Sequence, residues 1–269
     1  MAVRGYTSAM DNIRFIGTAT TVMTLGSFTI LTDPNFLRRG QRAYLGWGLS
    51  SRRLTDPALR PDELPALDAV VLSHLHGDHF DRVSKQHLDR AVPVLSTPSA
   101  VQRLGRWGFD GRAMRTWDQH TIEHGDEELR ITSLPATHAR GILGRMLPPV
   151  MGSMLELVRG GSVVRRVYVS GDTLMGSDVV EVKERYPEID TALVHLGGTR
   201  VLFRTVTMDA AMGADFVACT DAAVTIPVHF DDYGVFRSPL SDFVDLVRDR
   251  GLDSGVRVPG RGGVVSLDP

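Results

Sequence analysis

The sequence predicts an α/β chain folded as a four-layer αββα sandwich, with two sheets face to face and helices outside. One observation is a repeat. A hairpin ending in an aspartate is followed by a buried strand that delivers a histidine, first with Asp33 and His74, then with Asp172 and His195. A second is that each half supplies strands and then helices, and such halves bury their apolar faces best against one another. A third is that no linker-like stretch divides the chain, so residues 1–269 read as one domain.

The elements follow in order. Residues 1–12 are polar and carry no strand signal. Ile13–Ile16 and Thr21–Leu25 alternate in polarity as strands do, and Gly26-Ser27 turns the chain into Phe28–Leu31. Pro34 cannot continue the ladder, which leaves Asp33 at the strand's end. The arginine-rich stretch 35–65, with Tyr44 and Trp47, reads as a long irregular excursion. Loops of that length serve as active-site covers, with a surface insert of no role as the alternative. Ala69-Val70-Val71-Leu72 is short, apolar and β-branched, hence a buried strand. A helix is expected over Asp81–Arg90 and a strand over Val92–Leu95. Ser99-x-x-Gln102 makes a capping box for a helix to about Trp107, stopped by Gly108.

Arg112–Thr116 and Leu129–Leu134 alternate as strands. Gly141–Pro149 is apolar but too broken by Gly and Pro for a core helix. A second hairpin joins Ser153–Val158 to Val163–Val169 across Arg159-Gly160-Gly161. Ser177 is expected to cap a helix ending before Pro187. Thr191–Val194 reads as a buried strand, Met208–Ala218 as a helix and Ala222–Ile226 as a strand. Ser238-Pro239 reads as an N-cap followed by Pro at the first helical position. The helix after it carries Leu240, Phe243, Val244 and Val247 on one face, and Gly251 closes it. Gly263–Leu267 is the last strand.

Composition removes some classes of function. The formal net charge is −2, so there is no global attraction to nucleic acid or to an anionic membrane. The single Cys219 excludes an internal disulfide framework and, within a helix-like stretch, reads as a small core residue. No leader-like apolar region opens the chain and no apolar run reaches membrane-spanning length. A soluble cytoplasmic protein with no transmembrane segment is expected.

The chemistry concentrates in Ser73-His74-Leu75-His76-Gly77-Asp78-His79-Phe80-Asp81, which leaves the buried strand at its C-terminal end, where open α/β sheets place their sites. Imidazole and carboxylate together suit zinc, iron or manganese. Gly77 is expected to let the loop turn tightly. The stretch resembles the His-x-His-x-Asp-His signature of the metallo-β-lactamase superfamily. Asp33, His138, Asp172 and His229 stand in the order that family requires, each after a predicted strand.

The resemblance implies the metallo-β-lactamase fold and two divalent metal ions, zinc first, with manganese or iron as alternatives. It implies one ion on His74, His76 and His138 and a second on Asp78, His79 and His229, with Asp172 bridging. Asp78 and Asp172 are the carboxylates assigned to catalysis. Asp33 would orient the ligand loop from behind. A metal-bound hydroxide would then attack a small ester, lactone or phosphodiester, with no Ser or Cys nucleophile. Leu31-Thr32-Asp33-Pro34 and the stretch from Gly197-Gly198 to Thr207-Met208-Asp209-Ala210 look most like the branch of ascorbate-phosphate lactonases and N-acylethanolamine phospholipase D.

Two residues are assigned to the substrate. Arg140, just past His138, would read an anionic group, with a structural salt bridge as the alternative. His195 would touch substrate or serve structure. His87, His120 and His124 are expected at the surface. The competing functions are a metal-dependent nuclease, disfavoured by the charge balance and the lack of a clamping domain, and a non-hydrolytic di-iron or metal-binding protein. The di-iron branch commonly carries Glu where this chain has His76.

Overall fold

Asn12–Gly17 (β1), Thr20–Leu25 (β2) and Phe28–Thr32 (β3) form an antiparallel meander, turned at Gly26-Ser27 where expected. The architecture is that of a computed structural model, which describes residues 10–46, 48–141, 144, 147–201 and 203–268. After the meander come a two-stranded hairpin, Arg42–Gly46 (β4) with Leu49–Arg52 (β5), and then the buried strand Ala69–Leu72 (β6). Arg82–His87 (α1), Val94–Ser96 (β7), Pro98–Arg106 (α2) and Gly111–Ala113 (β8) complete the first half.

The second half opens with Gln119–His124 (β9), Glu127–Leu134 (β10), Gly152–Arg159 (β11) and Ser162–Val169 (β12). Ser177–Arg185 (α3), Thr191–His195 (β13) and a short hairpin of Arg200–Val201 (β14) and Arg204–Thr205 (β15) follow. Ala210–Thr220 (α4), Val224–Val228 (β16), Leu240–Asp249 (α5) and Val264–Ser266 (β17) close the chain.

The first sheet runs β17-β1-β2-β3-β6-β7-β8 and the second β16-β13-β12-β11-β10-β9. The repeat seen in the sequence is real in the pairing. β3 runs parallel to β6, and β12 runs parallel to β13. Parallel neighbours end at the same sheet edge, so each hairpin's aspartate arrives beside the residue that leaves the buried strand. Alternation sorts the faces. Phe15, Met23, Ile30 and Val71 share one apolar core with Leu129, Ile131 and Leu155 of the facing sheet. The opposite face of the first sheet, with Val22, Leu31 and Val70, packs on Phe80, Leu88 and Leu104 around α1 and α2. Val179, Phe216 and Phe243 bring α3, α4 and α5 into the core of the second sheet, where Phe216 lies 5.4 Å from Tyr168. No helix among the described residues is long and apolar enough to cross a membrane.

Several local expectations shift. Thr97, not Ser99, caps α2: its hydroxyl accepts from the Ala100 N–H, and Pro98 occupies the first turn. Gly176 stands at the N-cap of α3, and Ser177 is already helical. Pro239 is itself the N-cap of α5, while the Ser238 hydroxyl accepts from the Ala210 N–H in the first turn of α4, whose own N-cap is Asp209. Strand β9 carried no strong signal because, at a sheet edge, it alternates only between exposed and half-buried. His120 and His124 lie on it half-buried, and His124 stacks on Phe28 with centroids 4.6 Å apart. The helix expected over 81–90 stops at His87, because Leu88 turns extended and its side chain is buried. Segment 35–65 is not irregular throughout, since it holds the β4–β5 hairpin. Trp47, most of 1–12 and residues 142, 143, 145 and 146 of the 141–149 stretch lie outside the described residues.

A buried ion pair holds that hairpin down. Arg53, just past β5, and Asp232 are both fully buried, with Arg53 Nη2 3.0 Å from Asp232 Oδ1. The approach is oblique, a charge contact rather than a linear hydrogen bond. Arg53 also donates to the Asn35 side-chain oxygen, which accepts from the Tyr233 hydroxyl at 3.0 Å. Asp232 further accepts from the Thr18 N–H at 2.6 Å. Burial works to raise the Asp232 carboxyl, but the Arg53 and Arg261 guanidiniums bring it below the ordinary range. Removing one partner of a buried pair strands the other charge. Asp232→Ala is therefore expected to cost about 3–5 kcal/mol in urea unfolding. A loss below about 1 kcal/mol would show that Arg53 finds solvent or another partner.

Candidate metal centre

The site is built from strand ends. Loop 73–81 leaves β6, His138 follows β10, Asp172 follows β12 and His229 follows β16. Every one of these strands terminates at the same rim of the sandwich, so residues far apart in sequence meet there. His74, His76 and His138 form one group whose ligand atoms lie within 4.8 Å of one another. Asp78, His79 and His229 form a second, and His74, His79 and Asp172 a third that stands between them. Asp172 Oδ2 is 3.2 Å from His79 Nε2 and 3.9 Å from His74 Nε2.

Several imidazoles are oriented by a contact on the far side of the ring. The Nδ1–H of His138 donates to the Val206 carbonyl at 2.8 Å, and that of His229 donates to the Leu196 carbonyl at 3.1 Å. Both rings are thereby left with Nε2 as a lone-pair donor facing the centre. His79 Nδ1 faces Asp33 Oδ2 at 3.3 Å. The other oxygen of Asp33 accepts from the Ser73 N–H at 2.8 Å and the Ser73 hydroxyl at 2.9 Å. Asp33 thus fixes the start of the ligand loop and one ring within it. Asp33 and His229 both adopt left-handed backbone, at φ 36° and 63°, a conformation that costs a non-glycine residue energy and persists only when surroundings enforce it. For His229 the enforcing contact is its own N–H, which donates to the Thr18 carbonyl at 2.7 Å.

The donors fit cations. Asp78 Oδ1, Asp172 Oδ1 and His229 Nε2 are buried without a hydrogen-bond partner, which is costly unless something else satisfies them. His74 Nε2 and His76 Nδ1 face each other at 2.9 Å. Burial pushes the His74 imidazole well below its ordinary range, helped by His79 and His76. It lowers His138 likewise and brings His76 to about 4. These three rings stay neutral near pH 7 and keep their lone pairs. His79 goes the other way: burial opposes its charge, but Asp172, Asp33 and Asp78 raise it well above the usual value. Three buried carboxylates therefore call for positive charge at this point, and a bound cation would supply it.

The remaining expectations meet the geometry unevenly. His195 is fully buried, with Nδ1 3.1 Å from the Ser170 hydroxyl and Nε2 3.5 Å from Asp33 Oδ2. It supports Asp33 from behind rather than lining the cavity, so the structural alternative fits it. Arg140 is exposed and donates to the Met175 carbonyl at 3.1 Å, which turns it away from the cavity wall. Among the described residues it pairs with no carboxylate and does not line this cavity. Gly77 is needed for a different reason than turning: a Cβ there would meet the Tyr44 carbonyl oxygen at 2.6 Å, and its N–H donates to that oxygen at 2.9 Å. Asp81 joins neither group. It caps α1 and accepts from the Phe36 and Leu37 N–H groups.

A cavity of about 470 Å³ opens on His76, Asp78, His138, Asp172 and His229. Its walls are mostly apolar, with Leu45 and Leu49 from the β4–β5 hairpin, Leu147, Val201, Val206 and Val235. Arg200 is its basic side chain, one the sequence did not single out. Asn35 was also missed: its side-chain amide donates to the Gly77 carbonyl at 2.8 Å and so steadies the ligand loop. Neither sits in a local pattern; each is placed only by a distant segment folding over the site.

Residues 29–230 match the model of a family described as the beta-lactamase superfamily domain. A metal-dependent hydrolase of Hyperthermus butylicus is 28% identical over 262 residues, covering 93% of this chain and 96% of its own. One from Thermus thermophilus is 26% identical over 264 residues, or 96% of this chain and 100% of its own. Among solved structures, the isothiocyanate hydrolase from Delia radicum gut bacteria superposes with a TM-score of 0.81 at 16% identity, covering 96% of this chain and 100% of that one. Igni18, a metallo hydrolase from Ignicoccus hospitalis, does so with a TM-score of 0.69 at 20% identity, covering 97% and 100%. At these identities the structural matches speak for the fold.

If Asp33 orients His79 and the loop, Asp33→Asn should weaken metal binding by about 10–100-fold with the far-UV circular dichroism unchanged. Competition against a chromophoric chelator measures this, and wild-type affinity in the variant would confine Asp33 to a packing role. His76→Ala should lose metal by elemental analysis while remaining folded. Full metal content would remove His76 from the centre.

Proposed function

The chain belongs to the family of the beta-lactamase superfamily domain, and on that premise we propose a hydrolase of small esters, lactones or phosphodiesters that works through two divalent metal ions. The broader class is plain: it is a metallo-hydrolase of the metallo-β-lactamase superfamily. The observation that carries the finer reading is the pair of buried donor groups joined through Asp172, with carboxylate oxygens and an imidazole nitrogen left unpaired among them.

His74, His76 and His138 would hold one ion, and Asp78, His79 and His229 the other, with Asp172 shared. The imidazole and carboxylate set favours zinc, with manganese or iron as alternatives. Such a pair, when bound, supplies hydroxide at neutral pH by lowering the pKa of water from about 15.7 toward 7, and draws charge from the scissile oxygen. The chain's own residues do the rest. Asp33 and the carbonyls of Val206 and Leu196 fix the imidazoles in place. Asp78 and Asp172 balance the ionic charge within the centre. Leu45, Leu49 and Val235 hold the apolar part of a small substrate and exclude bulk water from the reacting bond. In this reading segment 35–65 is the cover of the site.

Among the described residues, no Ser or Cys lines the cavity except Ser50, whose hydroxyl binds Arg42. Hydrolysis in oxygen-18 water should place the label in the product on the first turnover. A single-turnover product carrying an enzyme oxygen would overturn the mechanism. The purified protein should also bind close to two equivalents of metal by elemental analysis, and a saturating single equivalent would overturn the pair.

A further inference from the structure

Beside the metal-centre cavity lies a second concavity of about 630 Å³, and His76 and Leu147 line both. Three arginines line it from three elements: Arg42 of β4, Arg82 in the first turn of α1 and Arg103 of α2. Tyr44 and Trp107 add aromatic surface.

Each arginine is tethered by a neutral partner and keeps donors to spare. Arg42 donates to the Ser50 hydroxyl at 3.0 Å, Arg82 donates to the Arg42 carbonyl at 3.2 Å, and Arg103 lies 5.7 Å from the Trp107 ring centroid. Lys85 sits over the same ring at 4.1 Å and adds another positive charge nearby. Among the described residues, none of the three arginines has a carboxylate within ion-pair distance, whereas Arg130, Arg159 and Arg165 each find one. The acid that lines the chamber, Asp81, is spent on the backbone N–H groups of Phe36, Leu37 and Ser84. Three exposed guanidiniums without an ion-pair partner among the described residues line this one concavity, and an oxyanion would satisfy their free donors.

We propose that this chamber is an anion-binding subsite, taking a phosphate or carboxylate group that the substrate carries away from the scissile bond. The planar guanidiniums suit either oxyanion bidentately. The substrate would then span the shared wall at His76, with its reacting bond at the metal centre and its anion among Arg42, Arg82 and Arg103. This deepens the hydrolase reading and rests on it for the link to turnover; the anion binding does not.

The test uses benzylphosphonate, a hydrolytically inert anion, titrated calorimetrically into the metal-loaded protein. The Arg82→Gln/Arg103→Gln double variant should bind it at least tenfold more weakly than wild type with metal content unchanged, and Arg103→Lys should recover part of the loss. Wild-type binding should weaken with added salt, and less so in the double variant. Equal affinity in wild type and double variant would place the phosphonate on the metal ions alone, and no binding to wild type would also overturn the subsite. If generic esters, lactones and phosphodiesters go unhydrolysed while phosphonate binding still depends on Arg82 and Arg103, the hydrolytic reading fails and the subsite stands.

Discussion

The buried carboxylate of Asp33 is the interaction on which the site depends. One of its oxygens takes both donors of Ser73, and the other faces His79 and His195. Burial alone would raise this carboxyl, but His79 and His195 hold it at about 2, so it remains an anion at any physiological pH. A permanent negative charge at that point orients the ring of His79 and fixes the first residue of the ligand loop. Asp33 holds its left-handed backbone while its side chain reaches across to Ser73 at the end of the neighbouring parallel strand.

A second set of contacts ties the β4–β5 hairpin to the ligand groups. Tyr44 lies against Gly77 so closely that no side chain fits there. Asn35 holds the Gly77 carbonyl from below while receiving Arg53 and Tyr233 on its oxygen. Asp232 grips Arg53 and the Thr18 N–H, and the Thr18 carbonyl receives the N–H of His229. The fully buried Arg53–Asp232 pair is thus continuous, through a few hydrogen bonds, with both the ligand loop and His229. Arg53 Nη2 and Thr18 Oγ1 have no hydrogen-bond partner in this network, so the charge contact to Asp232 carries much of the tie between the hairpin and the strand ends.

In the proposed reading the two chambers divide recognition between them. One is apolar and contains the donors; the other is basic and aromatic, and His76 belongs to both. An apolar wall strengthens the electrostatics of a centre by excluding water. A separate cluster of guanidiniums can select an anion without placing a competing cation among the ligands. Arg140 was the expected reader of charge because it is close to His138 in sequence. Proximity along the chain does not set side-chain direction, and its guanidinium turns to the carbonyl of Met175.

Much of this protein was legible in one dimension because the signals were local. Hairpins at Gly26-Ser27 and Gly160-Gly161, the buried strands before His74 and His195, and the helix face of Phe243 and Val247 all follow from short-range periodicity and turn chemistry. The order of Asp33, the histidine loop, His138, Asp172 and His229 was readable from its resemblance to the metallo-β-lactamase pattern, and each follows a strand within a few residues. Helix starts were off by a residue or two because several polar residues compete for each cap, and packing chooses among them: Thr97 over Ser99, with Ser238 drawn instead to the Ala210 N–H of the neighbouring helix. What only the tertiary structure decided are the contacts between segments distant in sequence. These are His195 behind Asp33, Asn35 beneath Gly77, Arg53 on Asp232, and Arg42, Arg82 and Arg103 around one concavity. The physical reason is that a strand or turn is selected by its own residues, whereas the direction of a long polar side chain is selected by whichever partner the completed fold brings within reach.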